Sequence, residues 1–461
     1  MKITFLSLTF SLIILYGIDS SAQNTSINYN WKAGVSSVKI TPSEAMPMAG
    51  FASRTHSSEG TLHDIWAKAL IIEDSKGKRA VMVSSDLLGF PKVMSDPIRD
   101  RIKTQFGLGR DQILLNSSHT HSGPVIGDAL TDVYLLDNQQ VASVINYSKK
   151  LEDQIVKLVG DAIKNMEPVE LYYQNGVTRF QVNRRNNSAT LLTQLTELQG
   201  PNDFAVPVLK AVTAKGDLKA IAFGYACHPT VLSGYDWSGD YPGFAQIELE
   251  KDHPGTTALF FQSSGADQNP LPRHTVPLAK QYGRELAAAV DRVLEEEMRK
   301  LPSNLITSYS ELDLPMATSP TEAELTKIVN NTAGVAYQKR WAQRFLTKLK
   351  AGEKLMTSYP YPVQVWSIGN LPLVSLGGEL LVEYGIKIKQ MLGEDTFVYG
   401  YSNDVMSYVP SSTVLKEGGY EGESANMVYG LPSKWQVGVE SRILNEVIRL
   451  AEKNGLIKNS K

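Results

Sequence analysis

The chain has 461 residues, 42% of them hydrophobic, and a formal net charge of −2 at pH 7. That length and apolar content suffice for a large buried core, and the near-neutral balance excludes the basic field that nucleic acid or an anionic membrane surface requires. A single cysteine, Cys227, excludes an intramolecular disulfide. The partner these limits leave is a small, neutral-to-acidic molecule held in a cleft.

The N-terminus reads Met1-Lys2, an apolar run from Ile3 to Ile18, then Ser20-Ser21-Ala22. A charged start, a short apolar region and small residues before the cut predict a signal peptide over residues 1–22 and export to the periplasm or medium. The run is too short and too polar at its end for a membrane span, and no later stretch approaches one. By length, residues 23–461 suit two or three domains. No repeat, low-complexity tract or linker divides them, and candidate functional groups fall on both sides of the best seam, Leu301-Pro302-Ser303-Asn304. A single catalytic domain is therefore expected.

Trp31 to Ile40 predicts a strand, followed by a polar loop around Arg54-Thr55-His56-Ser57-Ser58. Ala67 to Ile72 and Ala80 to Ser85 form a hairpin pattern about the turn Asp74 to Lys78. Asp86 ends the second run, where it either faces a cleft or caps a helix. Helical spacing is clear over Val141 to Met166 and Leu278 to Lys300, and a third helical stretch runs from Thr321 to Lys350. Strands are expected at Val208 to Val212, Ala220 to Ala226, Ala258 to Phe261, Val363 to Ile368 and Leu371 to Leu376, with a closing helix over Trp435 to Leu450. The fold expected is α/β or α+β, with layered sheets flanked by helices.

The groups suited to chemistry lie at the ends of these runs. Ile113 to Ser117 reads as a buried strand leading into Ser118-His119-Thr120-His121-Ser122-Gly123-Pro124. Alternate residues leave a strand on the same face, so His119 and His121 share one small volume. They are two metal ligands, a ligand beside an acid/base group, or hydrogen-bonded loop histidines. A third histidine follows another strand in Cys227-His228-Pro229-Thr230, with Pro229 holding His228 extended. The polar turn from Asp236 to Asp240 is a candidate cleft wall, as is the small-residue stretch Ser263 to Pro270. Gly377-Gly378-Glu379 sets a carboxylate at the start of a helix. Tyr399 to Tyr408 and Gly418-Gly419-Tyr420-Glu421-Gly422 form a long glycine- and tyrosine-rich connection of the kind that often carries function.

Taken in order, the histidine-rich stretch 118–124, Asn183-Arg184, His228-Pro229-Thr230, Gly378-Glu379, Tyr408 and Tyr420-Glu421-Gly422 resemble the landmarks of the neutral/alkaline ceramidase superfamily. The resemblance runs from about Ala33 to the end of the chain. It implies a neutral-ceramidase-like catalytic domain and a zinc ion held by His119, His228, Glu379 and Tyr408, with His121, Arg184 and Tyr420 around the substrate. Arg184 is expected to clamp an anionic group through both prongs of its guanidinium. Two departures stand out. Ceramide-cleaving members carry Gly-Asp-x-Ser-Pro-Asn where this chain has Gly265-Ala266-Asp267-Gln268-Asn269-Pro270, without the serine. They also carry a C-terminal immunoglobulin-like domain, which is not expected here.

These departures favour a lyase. The expected reaction is dehydration of the terminal uronic acid of oligosaccharides such as ulvan fragments, as part of polysaccharide degradation, giving a 4,5-unsaturated uronyl end. His121 or Tyr420 would remove the proton and the other would protonate the leaving hydroxyl. Trp237, Tyr241 and Tyr401 are candidates to stack on sugar rings, with core packing as the alternative. The alternative activity is a zinc-dependent amidase or N-acyl hydrolase of ceramidase type, and the third possibility is a non-catalytic ligand-binding homologue.

Overall fold

The computed structural model describes residues 30–457. The leader expected at residues 1–22 lies outside them. Among the described residues no helix is long and apolar enough to cross a membrane.

The framework is two stacked sheets between layers of helices. The larger sheet contains β1 (Trp31–Lys39), β2 (Trp66–Glu73), β3 (Arg79–Ser85), β4 (Ile113–Ser117), β5 (Glu167–Val177), β6 (Ala205–Thr213), β7 (Leu218–Tyr225) and β8 (Thr257–Gln262). Their spatial order is β8-β7-β6-β5-β1-β2-β3-β4, and Arg299–Lys300 adds a short pairing to β5. The outer pairs β8/β7 and β3/β4 are parallel, whereas the pairs between them are antiparallel. A second sheet holds β9 (Leu305–Pro315), β10 (Ser358–Ile368), β11 (Leu371–Leu376) and β12 (Phe397–Tyr399) in sequential order.

Strand periodicity explains why both faces of the large sheet are covered. On β2, Leu70 and Ile72 pack toward the second sheet with Leu114, Trp366 and Leu373. The alternating Ala69 and Ile71 face the opposite layer, with Ile98 and Ile102 of α1 (Lys92–Phe106) and Leu151, Ile155 and Leu158 of α2 (Asn138–Lys164). The β7/β8 end is covered in the same way by α3 (Asp240–Asp252) and α4 (Val276–Glu295). The outer face of the second sheet packs on α5 (Val382–Leu392) and α6 (Val439–Lys453). Each fully buried aliphatic side chain in these layers contributes about 1.5–3 kcal/mol of transfer free energy.

The expected hairpin, the two long helices and the apolar strands are present with shifted ends. The stretch from Thr321 to Lys350 is two helices, Glu322–Asn330 and Ala336–Lys350, because the intervening Asn331-Thr332-Ala333-Gly334 favours turn over helix. Glu379 does not open a helix. It begins a two-residue strand, Glu379–Leu380, that pairs in parallel with Tyr408–Val409, and α5 starts only at Val382. Asp240 is the first residue of α3 and is buried. Asp86 is also buried and accepts from the Trp66 backbone N–H, so it closes the β2/β3 hairpin.

Candidate metal centre and its cavity

His119 and His121 meet, but not through strand alternation. β4 ends at Ser117, and His119 has a left-handed backbone with φ 65°, a conformation a non-glycine residue adopts only when its surroundings fix it. Its Nδ1 lies 2.6 Å from the Leu88 carbonyl oxygen, and Nδ1 of His228 lies 3.0 Å from that of Gly265. A carbonyl only accepts, so both Nδ1 atoms carry the proton and both Nε2 lone pairs face inward. Oε2 of Glu379 stands 3.1 Å from each of these Nε2 atoms. It is buried and has no hydrogen-bond donor among the described residues. Three inward-facing lone pairs with no proton among them form a socket for a cation, and His119, His121 and His228 present ligand nitrogens within 4.8 Å of one another.

The electrostatics agree. Burial pushes the His228 imidazole down to about 4, and burial with its two histidine neighbours holds His121 well below the usual range.

The second half of the cluster comes from the tyrosine-rich connection. The parallel pairing of Glu379 with Tyr408 brings the phenol oxygen of Tyr408 3.3 Å from His228 Nε2. Arg184 donates from Nη2 to that oxygen at 3.1 Å and from Nε to Glu421 at 2.8 Å. Glu421 also accepts from Arg185 at 2.7 Å. The Arg184 fork is thus engaged within the protein, which corrects the expectation of a free two-pronged clamp. The Tyr420 ring packs edge-on against Tyr408 with centroids 5.2 Å apart, and its phenol is pushed upward by burial.

All expected site residues therefore converge: His119, His121, Arg184, His228, Glu379, Tyr408 and Tyr420. The cavity lined by His119, His121, Glu379, Tyr408 and Tyr420 has a volume of about 220 Å³, below the roughly 300 Å³ at which pockets enclosing a whole drug-sized ligand begin. Phe51, Leu88, Leu130, Val133, Tyr134 and Val428 give it largely apolar walls.

Three candidate groups fall elsewhere. Trp237 packs in the core with Met46 and Met48, Tyr241 donates to the Cys227 carbonyl, and Tyr401 lies buried beneath His119 with ring centroids 4.6 Å apart. None of the three lines the cavity, so sugar stacking by these rings is excluded. Cys227 belongs to the apolar cluster with Phe223 and Tyr241, where burial pushes its thiol up. In the stretch 265–270, the Gly265 carbonyl orients His228, and the Asp267 carbonyl accepts from the Arg184 N–H.

Two residues escaped the sequence reading as functional groups. Tyr429 lines the cavity and donates its hydroxyl to Glu379 Oε1, and no motif or period marks it. Glu421, which fixes both arginines, lay within a quoted motif without a role.

Stacked mixed sheets that bring histidines, a carboxylate and a tyrosine together beside an apolar cavity define a candidate metal centre. The chain matches the family described as neutral/alkaline non-lysosomal ceramidase, N-terminal, over residues 31–271, and it belongs to that family. It is 26% identical over 283 residues to the neutral ceramidase of Pseudomonas aeruginosa, covering 58% of this chain and 40% of that protein. It is likewise 26% identical over 253 residues to neutral ceramidase A of Dictyostelium discoideum, covering 50% and 34%. The matched region thus spans less than half the length of these relatives. The crystal structure of the Pseudomonas aeruginosa neutral ceramidase superposes with a TM-score of 0.70 at 21% identity, covering 92% of this chain and 75% of that one. This likeness establishes the neutral-ceramidase fold.

These findings overturn the expected oligosaccharide dehydratase. The relatives are named neutral ceramidases, so lyase chemistry, ulvan and polysaccharide degradation, and a uronate-ended oligosaccharide partner are set aside.

Proposed function

We propose that this protein is a zinc-dependent amidase of the ceramidase type, cleaving the C–N bond of an N-acyl substrate. The observation that carries the proposal is the donorless Glu379 Oε2 facing two lone-pair nitrogens, a set that fits zinc. His119, His228, Glu379 and Tyr408 would hold the ion. Zinc in such a site supplies Lewis-acid polarisation of a carbonyl and a lowered pKa for water.

The remaining residues supply binding and proton transfer. His121 has its Nε2 3.3 Å from that of His119, beside the reacting position, where it exchanges the proton between attacking water and leaving amine. Arg184 holds the Tyr408 phenol in place through its hydrogen bond. Tyr420 closes the cavity on one side and orients the amide. Leu130, Val133 and Val428 receive the first part of the acyl chain and keep bulk water from the scissile bond, the rest of a long chain lying outside. The reading includes one catalytic domain and, on the composition of residues 1–22, action outside the cytoplasm.

The test incubates the zinc-loaded protein with N-acylsphingosines and short N-acyl amines and quantifies free acid and amine in equal amounts. Release that ceases on chelation and returns with zinc supports the proposal. Intact amides across both substrate sets, with zinc bound in stoichiometric amount, would reject it.

A further inference from the structure

We infer that Arg54 is a specificity-determining residue that binds a carboxylate on the amine portion of the substrate, making N-acyl amino acids the preferred substrate class. The inference rests on the amidase reading and adds to it the identity of the leaving group.

Arg54 lies on the loop that supplies Phe51 to the cavity wall. Its guanidinium stands over the Phe51 ring, 5.1 Å from the centroid, and Phe51 packs edge-on against His121 with centroids 4.8 Å apart. The cation is therefore one ring away from the proposed acid/base group, and it helps to hold the His121 imidazole in its neutral form. Arg184, Arg185 and Arg344 are each neutralised by a carboxylate. Arg54 has no ion pair among the described residues. Its Nη1 donates to the Ala49 carbonyl at 2.5 Å and its Nη2 to that of Gly234 at 2.8 Å, both neutral acceptors. Two of its five N–H bonds are spent in fixing it.

A partly buried guanidinium without a counter-charge is costly unless an anion completes it. The loop is fixed in advance: Thr55 N–H donates to the Tyr235 hydroxyl at 3.0 Å, and the His56 ring stacks on Tyr235 at 3.7 Å. Leu130, Val133 and Val428 take the acyl group, which leaves the side walled by Phe51, with Arg54 against that ring, for the amine portion and its anion. A carboxylate is the group whose geometry suits the planar guanidinium.

The experiment compares octanoylglycine with octanoylethanolamine on the zinc-loaded protein, for wild type, Arg54→Gln and Arg54→Lys. Calorimetry with the ketone isostere of octanoylglycine, in which a methylene replaces the amide nitrogen, reads binding without turnover. The wild type should favour the acid by about tenfold or more in kcat/KM, a charged hydrogen bond being worth about 1.5–3 kcal/mol. Arg54→Gln should bring the ratio near unity and weaken isostere binding by a similar factor, with Arg54→Lys between the two. A wild-type ratio near unity, or a ratio unchanged in Arg54→Gln while thermal stability falls, overturns the inference and makes Arg54 a staple between two loops. No cleavage of either amide, with isostere binding still dependent on Arg54, rejects the amidase reading and leaves the anion site standing. Absence of both cleavage and isostere binding rejects both.

Discussion

The two halves of the candidate centre are held in different ways. The imidazoles of His119 and His228 hang from loops that follow β4 and β7, and each is oriented by a main-chain carbonyl. Glu379, Tyr408 and Arg184 are oriented by a short parallel pairing and by other side chains, chiefly Tyr429 and Glu421. Carbonyls persist whatever side chains their residues carry, whereas a side-chain support is lost with one substitution. The histidine half should therefore resist change in its supports and fail only when an imidazole itself is removed or pushed. The carboxylate half should be tunable from outside the ligand set. The family match at residues 31–271 contains the histidine half, while Glu379, Tyr408, Tyr420 and Tyr429 lie beyond it.

The largest effect tests whether the halves meet at one ion. His119→Ala and Glu379→Gln, one from each half, should both lose zinc in elemental analysis and reduce amide hydrolysis by more than about 100-fold, the upper value usual for a supporting residue. Retention of full zinc by either variant would separate the halves.

Next, Tyr429→Phe removes the Glu379 support and leaves all ligands in place. Zinc affinity, measured by competition with a chromophoric chelator, should fall by roughly 10–100-fold. An unchanged affinity would show that the short pairing of Glu379 with Tyr408 suffices to set the carboxylate.

A smaller effect probes the histidine half by steric pressure. Gly50 has φ 104°, and a Cβ there would stand 2.5 Å from Cγ of His121. Gly50→Ala should displace the imidazole and lower kcat by about tenfold, with zinc content kept because His121 is outside the proposed ligand set. Zinc loss in this variant would add His121 to the ligands.

The smallest effect is on stability and its pH dependence. Asp404 is buried in the carboxylate half, its main chain accepts from the Gly378 N–H, and burial raises its carboxyl from 3.8 to about 7. The folded state thus binds a proton that the unfolded chain has released over that interval. The stability this contributes is complete below pH 3.8 and is lost as pH rises through about 7. Asp404→Asn should raise the thermal midpoint at pH 8, and the advantage should vanish toward pH 4. Equal midpoints at both pH values would indicate that the carboxylate is already compensated.

Much of the fold was legible because burial imposes periods. Leu70 and Ile72 against Ala69 and Ile71 mark a strand covered on both faces, and Leu151, Ile155 and Leu158 mark a helix with one buried stripe. β5 and β9 were not recognised, since polar residues interrupt their apolar positions, and Pro97 obscures α1. The expected site residues were named from short motifs, and all seven converge in space. Tyr429 carried no signal, because its role depends on a hydroxyl meeting a carboxylate fifty residues away in sequence. The dehydratase expectation rested on the short stretch Gly265 to Pro270 and on an expected domain organisation, neither of which bears on what the remaining groups do.

The sequence by itself determined that this chain folds as layered sheets and helices and which short motifs carry histidine, carboxylate, arginine and tyrosine, because hydrophobic period and residue type are local properties. Only the tertiary structure decided how those side chains act. It gave His119 a left-handed backbone, turned both Nε2 atoms inward through carbonyls remote in sequence, engaged the Arg184 fork with Glu421 and Tyr408, and left Arg54 without a counter-charge among the described residues. Proton placement and charge pairing depend on distances of a few ångströms between distant segments, and packing alone sets those distances.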